Sequence, residues 1–359
     1  MQLKSPCLML RNKFICINMR KKIFIKSDCG DGIRNEVFKY DYTDSLEKYM
    51  HRDENGFWYS CGLEVLLEQK SPCRIFYKKV CSEVESETMP FTNQNEEVFQ
   101  IRERVNDNGL EVIIIQKKNI KTTPAIVVSL GGPIISIPDF MTADSIYSYF
   151  IQQGYSLIIP LRRGISGISI EWERALEGHY GKYDLEDIIE ATDFVLSHYA
   201  HTIDIENVFL YGGSYGGYMA ELIAGKANSN KRFKAIVAHC GVYDIATYPW
   251  HCQGIPEETM KTYGNTTDKS VYPERVKEIS PKTFIANWNV PILLVHHLND
   301  TTTWVGQSVA AYNDALNLKK QVILLIVQGP HTYDIPQKES LFLKIVTFFE
   351  TCKLNIMVK

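Results

Sequence analysis

A serine flanked by glycines follows an apolar run in the second half of the chain. Residues Gly212-Gly-Ser-Tyr-Gly216 match the pattern G-x-S-x-G, which presents a nucleophilic serine at a sharp strand-to-helix turn. The run 207–211 before the motif suits a strand, and 218–224 after it suits a helix. Glycines on both sides remove side chains that would collide in a strained turn. Ser214 is therefore the candidate nucleophile; the alternative is a glycine-rich turn with an incidental serine.

A serine hydroxyl is a weak nucleophile at neutral pH, so the motif requires a base and an acid that orients the base. Asp300 follows the apolar run 291–296, and His331 follows the run 321–327. With Ser214 they give the chain order serine, acid, histidine. Parallel strands end on the same rim of a sheet, which would bring the three side chains together. We predict that Ser214, Asp300 and His331 form a catalytic triad.

Four other residues compete for the roles of base and acid. His296 and His297 lie too close to Asp300 in the chain to follow it, and His239 ends an earlier strand. Each is interpreted as a packed or hydrogen-bonded structural histidine. Asp334 is the rival acid, but it follows the predicted base and breaks the order. The predicted triad is unchanged.

Negative charge on a reacting carbonyl oxygen needs N–H donors that are already in place. Tyr215, the residue after the nucleophile, is one candidate donor. The loop Leu130-Gly-Gly-Pro133 supplies the other, and Gly132 is favoured because proline has no N–H and glycine lets a ligand approach closely. Gly132 and Tyr215 are thus the predicted oxyanion hole; the alternative for the loop is a structural turn.

Apolar strands alternate with amphipathic helices from residue 125 onward. This alternation predicts an α/β protein whose mostly parallel central sheet is flanked by helices, and a nucleophilic elbow at a strand end is typical of the α/β-hydrolase fold. The predicted elements are strand 125–130, helix 140–152, strand 155–160, helix 184–199, strand 207–211, helix 215–225, strand 235–240, strand 291–296, helix 304–317, strand 321–327 and helix 337–351.

The helix 184–199 and a hairpin before residue 125 give two detailed expectations. Apolar residues recur in the helix at three, four and seven apart, which leaves Asp187 and its acidic neighbours on the solvent face. Segments 98–104 and 110–115 flank Asn106-Asp-Asn-Gly109, a composition that favours a β-hairpin turn.

Residues 1–95 form a separate region in this interpretation. Aromatic and β-branched clusters at 23–25, 37–40, 56–59 and 74–77 predict short strands, while the acidic stretch 82–97 shows no apolar periodicity and suits a linker. We predict a small β-rich N-terminal domain, 1–95, and a catalytic domain, 96–359.

Composition restricts the class of partner. The 359 residues carry a net charge of -3, so the chain offers no general attraction for nucleic acid or an anionic membrane, and its apolar runs are too short to span a bilayer. The nine cysteines form no Cys-x-x-Cys pair or zinc-ligand cluster, so we expect no metal and no cofactor. Free thiols in the cytoplasm are the main interpretation; disulfides in an exported N-terminal domain are the alternative, because six cysteines lie in the first quarter.

An ordered set of motifs resembles the catalytic domain of the prolyl oligopeptidase family, and most of all its acylaminoacyl-peptidase-like branch. The motifs are Leu130-Gly-Gly-Pro133, Arg162-Arg-Gly-Ile-Ser-Gly167, Trp172, Gly181-Lys-Tyr-Asp-Leu-Glu-Asp187, Gly212-Gly-Ser-Tyr-Gly-Gly-Tyr218, Ser280-Pro281, the run 291–300 and His331. The resemblance covers about 98 to 351. It implies a serine peptidase that hydrolyses peptide or acyl-amino bonds of short peptides.

Three departures from that family lie near the site. Leu130 replaces the usual histidine before Gly-Gly-Pro, Thr303-Trp304 replaces a small apolar pair after the acid, and Gly329-Pro330 replaces glutamate-glycine before the base. Family members also carry a large N-terminal β-propeller, for which 95 residues leave room only for a fragment or another small domain.

The substrate is the open part of this interpretation. Trp250, in the insertion 241–290, and Arg163 are the candidate substrate-binding residues. Trp250 and Trp288, both in this insertion, suggest either an aromatic acyl pocket or ordinary packing of their side chains. The alternatives are an esterase, an acyl transferase or peptide cyclase of the same fold, and a catalytically inactive binding protein. Self-association is expected if something other than a propeller restricts access.

Overall fold

The computed structural model describes residues 96–118, 122–138, 140, 145–228, 232–248, 272–331 and 338–354, together with short strands before residue 94. The chain divides into two compact units. One contains Met1–Glu85, Ser136–Thr142 and Ile165–Arg174, and the other contains Ser86–Ile135, Ala143–Gly164 and Ala175–Lys359. The predicted domain boundary near residue 95 stays a prediction.

The first unit contains antiparallel strand pairs. Strands β1 and β2, β3 and β4, β5 and β6, and β7 and β8 pair with one another. The predicted apolar clusters fall within or overlap β3, β4, β6 and β8. The strands are β1 Leu8–Leu10, β2 Lys13–Ile15, β3 Ile23–Lys26, β4 Glu36–Lys39, β5 Met50–Arg52, β6 Trp58–Ser60, β7 Leu63–Glu68 and β8 Arg74–Lys79.

A nine-stranded sheet is the core of the second unit. Six neighbouring strands run parallel, and three antiparallel strands extend one side, so the order is β19-β18-β17-β16-β12-β14-β11-β10-β9. This is the predicted mostly parallel sheet. Its strands are β9 Met89–Asn93, β10 Glu96–Arg104, β11 Glu111–Lys117, β12 Thr123–Ser129, β14 Ser156–Leu161, β16 Ile203–Gly213, β17 Ala235–His239, β18 Ile292–His297 and β19 Val322–Val327. The two-residue strands β13 Ile135–Ser136 and β15 Ile165–Ser166 are not part of this sheet.

Helices close to the five predicted positions flank this sheet, and two short helices, at Ile170–Arg174 and Tyr272–Ile279, were not predicted from the sequence. They are α1 Ile146–Gln152, α2 Ile170–Arg174, α3 Tyr183–His198, α4 Tyr215–Lys226, α5 Tyr272–Ile279, α6 Gly306–Asn317 and α7 Lys338–Lys353, with a 3₁₀ helix at Pro281–Asn287. The predicted start of α1 at residue 140 is wrong. Ser145 caps the helix by accepting the N–H of Ser148 at 3.0 Å, so the helix begins after Ser145. Within the described part of the chain, every helix falls short of the length and apolarity needed to cross a membrane.

The β10–β11 hairpin confirms the turn expected from its composition. Gly109 has φ 96°, which suits glycine, and the Asn106 side-chain oxygen accepts the N–H groups of Asn108 and Leu110. The asparagine therefore fixes the turn through its own side chain.

The buried face of α3 differs from the predicted one. Asp184 and Asp187 are 0% and 2% exposed and lie on the same side as Ile188 and Val195. The apolar periodicity of the helix placed Asp187 on the solvent face. That position also agreed with the high cost of burying an isolated carboxylate. The structure pairs Asp187 with Arg163, at 2.6 Å between Oδ1 and Nη2, which makes the burial tolerable.

Candidate active site

The glycines of the G-x-S-x-G motif allow the backbone to fold tightly on itself. A Cβ at Gly212 would lie 2.0 Å from the carbonyl oxygen of Gly216, and a Cβ at Gly216 would lie 1.9 Å from that of Ser129. Both distances are far below van der Waals contact, so a larger residue at either position would move the backbone. The tight strand-to-helix turn therefore requires the two glycines of the motif.

Ser214 has an unusual backbone conformation between the end of β16 and the start of α4. Its φ is 58° and its ψ is -120°, and its N–H donates to the carbonyl of His239 at 2.8 Å. A positive φ is costly for a residue with a side chain and persists where the surrounding structure enforces it, often at reactive sites. The residue is partly exposed, so a substrate can reach its hydroxyl.

The predicted base and acid lie beside this serine. His331 Nε2 is 2.8 Å from Ser214 Oγ, and His331 Nδ1 is 2.6 Å from Asp300 Oδ2. Asp300 follows β18 and His331 follows the adjacent parallel strand β19, so both reach the same rim of the sheet. An ionised carboxylate only accepts hydrogen bonds, so we assign the proton to Nδ1 and the lone pair of Nε2 faces the serine hydroxyl. The structure brings the three predicted triad residues together.

Donors surround the buried carboxylate of Asp300. Oδ1 accepts the N–H groups of Thr302 at 2.9 Å and Thr303 at 2.8 Å, and Oδ2 accepts from His331 and from the Thr303 hydroxyl. Burial alone would raise the pKa of Asp300, but the hydrogen bonds outweigh it and hold that pKa well below its usual range. The carboxylate is therefore negative at neutral pH and can stabilise the positive charge that His331 gains when it takes the serine proton.

Three more histidines pack behind the triad with hydrogen bonds in the interior. The His296 ring bonds to Ser308 Oγ and to the carbonyl of Thr303, both at 2.7 Å, and the rings of His239 and His297 bond to each other. Burial lowers the pKa of all three histidines, so they are neutral at neutral pH. Their interpretation as hydrogen-bonded structural histidines agrees with this geometry.

The loop after β12 passes beside the nucleophile. A Cβ on Gly131 would lie 3.8 Å from the Cβ of Ser214. Gly132 has φ 123°, and a Cβ there would lie 2.8 Å from the backbone nitrogen of Ile134, so the loop requires glycine. Tyr215 is the first residue of α4, where N–H groups point away from the carbonyls of their own helix. Tyr215 directly follows the nucleophile and the loop that contains Gly132 passes beside it at Gly131, while donation by Gly132 and Tyr215 to a substrate oxygen stays a prediction.

Arg162 holds this loop in place. Its side chain is almost fully buried, and its guanidinium donates to the carbonyls of Pro133, Arg163 and Gly131 at 2.9 Å and to that of Leu130 at 3.4 Å. A planar guanidinium that binds several carbonyls of one short loop fixes the path of that loop. In the sequence Arg162 stands out only as part of a motif, because the carbonyl groups that it binds in the 130–133 loop are distant in the chain.

A buried carboxylate supports the other side of the predicted hole. The Tyr215 hydroxyl donates to Asp184, and the Arg162 guanidinium carbon lies 5.0 Å from the centre of the Tyr215 ring. Burial raises the pKa of Asp184, against the opposing effects of Arg162 and of the Tyr215 hydrogen bond. One buried network therefore contacts both segments that would supply the oxyanion donors.

Of the two predicted substrate-binding residues, the structure describes Arg163 but not Trp250. Arg163 binds both carboxylate oxygens of Asp187, at 2.6 to 3.2 Å, and its guanidinium carbon lies 4.1 Å from the Tyr183 ring centre. These contacts make Arg163 a support of α3, and its contact with substrate stays a prediction. Trp250 and the rival acid Asp334 lie outside the described residues.

Trp288 does not fit the hypothesis of an aromatic pocket. It is 2% exposed, its indole N–H donates to the carbonyl of Glu221 at 3.3 Å, and its ring packs against Tyr243. For this residue, ordinary core packing is correct.

Two groups of side chains in the described part of the chain have metal-binding atoms close together. They are His239, Cys240 and His297, and Cys240, Asp300 and His331, with ligand atoms within 4.8 Å of one another in each group. The imidazole nitrogens of both groups already take part in the hydrogen bonds described above, which account for the geometry. Burial also raises the pKa of the Cys240 thiol, so the thiolate that a metal needs is disfavoured.

Comparison with known proteins adds family relationships to this geometry. Residues 141–351 match the family model described as the prolyl oligopeptidase family. Dipeptidyl-peptidase 5 of Porphyromonas gingivalis is 27% identical over 230 residues, which cover 64% of this chain and 33% of that protein. Acylamino-acid-releasing enzyme 1 of Oryza sativa subsp. japonica is 27% identical over 250 residues, which cover 67% of this chain and 31% of that enzyme. The chain spans about a third of the length of the curated relatives it matches.

Solved structures show the same fold. The Pyrococcus horikoshii acylaminoacyl peptidase superimposes with a TM-score of 0.59 at 16% identity, covering 97% of this chain and 65% of the other. A Mycobacterium tuberculosis puromycin-hydrolyzing peptidase gives a TM-score of 0.63 at 17% identity, and the match covers 80% of this chain and 43% of the other. At these identities the likeness establishes the α/β-hydrolase fold.

Proposed function

Because the chain belongs to the prolyl oligopeptidase family, we propose that it is a serine peptidase that uses Ser214, His331 and Asp300. One observation carries this proposal: an unbroken hydrogen-bond chain links Ser214 Oγ to His331 and His331 to Asp300, at 2.8 and 2.6 Å. The three residues are far apart in sequence, and their ring nitrogens and oxygens are arranged as proton transfer from serine to histidine requires.

Acylation begins when Ser214 Oγ attacks the carbonyl carbon of the substrate and His331 Nε2 takes the hydroxyl proton. Asp300 keeps the imidazole in the correct tautomer and stabilises its positive charge. The proton then passes from Nε2 to the leaving nitrogen as the carbon–nitrogen bond breaks. The products of this step are a free amine and an ester on Ser214.

Hydrolysis of that ester uses the same groups in the same order. Nε2 takes a proton from a water molecule, the water oxygen attacks the ester carbon, and Oγ leaves with the proton that the imidazole returns. In both steps the N–H groups of Gly132 and Tyr215 would stabilise the negative oxygen, and Arg162 would hold the loop that contains Gly132. No step in this mechanism needs a redox reaction.

We propose short peptides as the substrate class. Two relatives are named as a dipeptidyl-peptidase and as an acylamino-acid-releasing enzyme. One name refers to a dipeptidyl unit and the other to an acylated amino acid, and in a peptide chain the acyl group of such a residue blocks the amino terminus. The proposal for this chain is therefore cleavage near a free or acylated amino terminus.

A panel of fluorogenic peptides tests the substrate class. Matched peptides with free and acetylated amino termini, and an ester analogue of the best amide, should be compared at equal concentration. We expect amide cleavage by the wild type and none by Ser214→Ala. Cleavage of the ester alone would replace the peptidase proposal with an esterase.

We also propose a reducing, cytoplasmic environment and self-association as a means of limiting substrate size. Cys240 and Cys352 are free buried thiols within the described residues, which supports this proposal, while the six cysteines of the first quarter lie outside the described residues. Fractionation of the native source and light scattering at working concentration test these two points. Recovery outside the cytoplasm, or a monomer, would contradict them.

A further inference from the structure

We propose that Thr303 is a positioning residue of the triad, whose hydroxyl completes the hydrogen-bond shell of Asp300 and sets how strongly this carboxylate supports His331. The inference deepens the proposed function and rests on it. Thr303 was notable in the sequence only as a departure from the small apolar pair usual after the acid.

The Thr303 hydroxyl lies at the centre of the triad's buried side. Its Oγ1 is 2.9 Å from Asp300 Oδ2, 2.9 Å from the carbonyl oxygen of Cys240 and 3.2 Å from His331 Nδ1. The residue is 2% exposed. Asp300 Oδ2 and the Cys240 carbonyl oxygen only accept hydrogen bonds, so they share the proton of the Thr303 hydroxyl. A lone pair of the hydroxyl oxygen then faces the Nδ1–H group of His331.

Thr303 supplies two of the four N–H and O–H groups that donate to Asp300, and the Cys240 thiol is a further hydrogen-bonding neighbour. A carboxylate has about four acceptor positions. In this structure they receive the N–H groups of Thr302 and Thr303, the Thr303 hydroxyl and the imidazole N–H. Removal of the hydroxyl would leave one buried acceptor position empty and concentrate negative charge on the oxygen that faces His331.

The threonine is held from behind by another side chain. His296 bonds to the Thr303 carbonyl at 2.7 Å and to Ser308 Oγ at 2.7 Å. Threonine is branched at Cβ, which restricts χ1 rotation, so the hydroxyl has little freedom to leave Asp300. Threonine therefore combines a donor with a fixed direction.

The other titratable groups around Asp300 are neutral at neutral pH. Burial lowers the pKa of His239, His296 and His297 and raises that of the Cys240 thiol. The charge on Asp300 is therefore balanced mainly by hydrogen bonds. The groups facing it are His296 and His297 from β18, His239 and Cys240 at the end of β17, and His331 after β19.

The test compares Thr303→Val, which keeps the shape and loses the hydroxyl, with Thr303→Ser, which keeps the hydroxyl. Thr301→Val, an exposed threonine in the same loop, is the matched control. The readouts are kcat/KM for a p-nitrophenyl ester across pH, thermal unfolding, and the low-field proton resonance of His331 Nδ1–H. The last readout needs no turnover.

For Thr303→Val we expect kcat/KM at its pH optimum to fall by about ten- to a hundredfold, because loss of a hydrogen bond to a charged group also leaves Asp300 and His331 less firmly oriented towards Ser214. The midpoint of the acid limb in the pH profile of kcat/KM should move to higher pH, because a less stabilised Asp300 carboxylate favours the protonated imidazole of His331. The resonance should shift, and Thr303→Ser should restore all three quantities towards wild type. Thr301→Val should leave them unchanged.

A valine variant with wild-type rate, midpoint and resonance would overturn the inference. Equal losses in the valine and serine variants with an unchanged midpoint would also overturn it, because they indicate a packing role. Absence of turnover in the folded wild type would contradict the proposed function instead; the resonance then decides whether Thr303 still controls the Asp300–His331 pair.

Discussion

The imidazoles of His239 and His297 lie in the protein interior with their Nε2 atoms 2.8 Å apart. His297 Nδ1 bonds to the carbonyl of Pro330, which only accepts, so Nδ1 carries the proton and Nε2 of the neutral ring accepts. His239 Nε2 must then donate, and its Nδ1 accepts from the Tyr211 hydroxyl at 3.0 Å. A buried chain of hydrogen bonds therefore ends at the residue before the catalytic base, His331.

Substitution of His297 by leucine should impair catalysis through this chain. The Pro330 carbonyl would lose its donor, at a cost of about 1 to 3 kcal/mol for a buried group left unsatisfied. We expect kcat to fall on the order of tenfold at unchanged KM, because small displacements of a catalytic group are costly. Steady-state kinetics and thermal unfolding measure both effects, with exposed His201→Leu as control. A wild-type kcat would show that the base needs no such support.

Replacement of Arg162 by lysine should weaken the oxyanion hole. Lysine has a single ammonium group and cannot reproduce the planar set of bonds to the 130–133 loop. Loss of one oxyanion donor costs about 100- to 1000-fold in kcat, so displacement of the loop should cost up to that amount. The rate of labelling by a fluorophosphonate should fall in parallel.

Arg102→Lys provides the matched control for this substitution. Arg102 forms a partly exposed ion pair with Glu111 on the antiparallel side of the sheet. Its replacement should leave kcat and labelling unchanged. Equal behaviour of Arg162→Lys and Arg102→Lys would remove Arg162 from the account of the oxyanion hole.

Glu221 should make stability depend on pH. Its side chain is fully buried on α4, and neither carboxyl oxygen has a hydrogen-bond partner within the described residues. Burial raises the pKa of Glu221 well above its ordinary value of 4.5. Above pH 4.5 the unfolded carboxyl loses its proton while the folded one keeps it, so the free energy of unfolding falls as pH rises, by about 1.4 kcal/mol per pH unit.

Glu221→Gln tests this linkage because glutamine has a similar shape and no titration. The stability of the variant relative to wild type should increase between pH 5 and pH 8, as measured by denaturant unfolding. The exposed Glu206→Gln should keep the wild-type pH dependence. A difference between Glu221→Gln and wild type that is constant with pH would contradict the buried, protonated acid.

Gly216→Ala should destabilise the fold itself. The added Cβ would lie 1.9 Å from the backbone carbonyl of Ser129, so strand or helix must shift. We expect a loss of about 3 kcal/mol or more, at the upper end for overpacking. Gly154→Ala is the control, because its site has a positive φ but open space, and strain alone costs about 1 to 2 kcal/mol. Equal losses in the two variants, measured by denaturant unfolding, would contradict the steric argument.

The sequence predicted the parts of the site that depend on local motifs and on strand ends. Ser214 lies in a local pattern, and Asp300 and His331 each follow an apolar run, so the order of strands in a parallel sheet was enough to place them on one rim. The hairpin at Asn106 was also predictable, since its turn is fixed by a side chain within the turn.

The supports of the site could not be predicted in this way. Arg162 reaches its carbonyl partners, and Asp187 reaches Arg163, across long sequence separations, so periodicity placed Asp187 in solvent. Thr303 showed only as a residue type that differs from the usual pair. The hydrogen bond between His239 and His297 also depends on the register of β17 and β18, which composition does not specify.

The proposed mechanism depends above all on Ser214 as the nucleophile, activated by His331. The most direct measurement is mass spectrometry of the protein after incubation with a fluorophosphonate, followed by identification of the modified residue. We expect one adduct per chain on Ser214, absent in Ser214→Ala and formed much more slowly in His331→Ala. An adduct that persists in Ser214→Ala, or a wild type that stays unlabelled while folded, would contradict it.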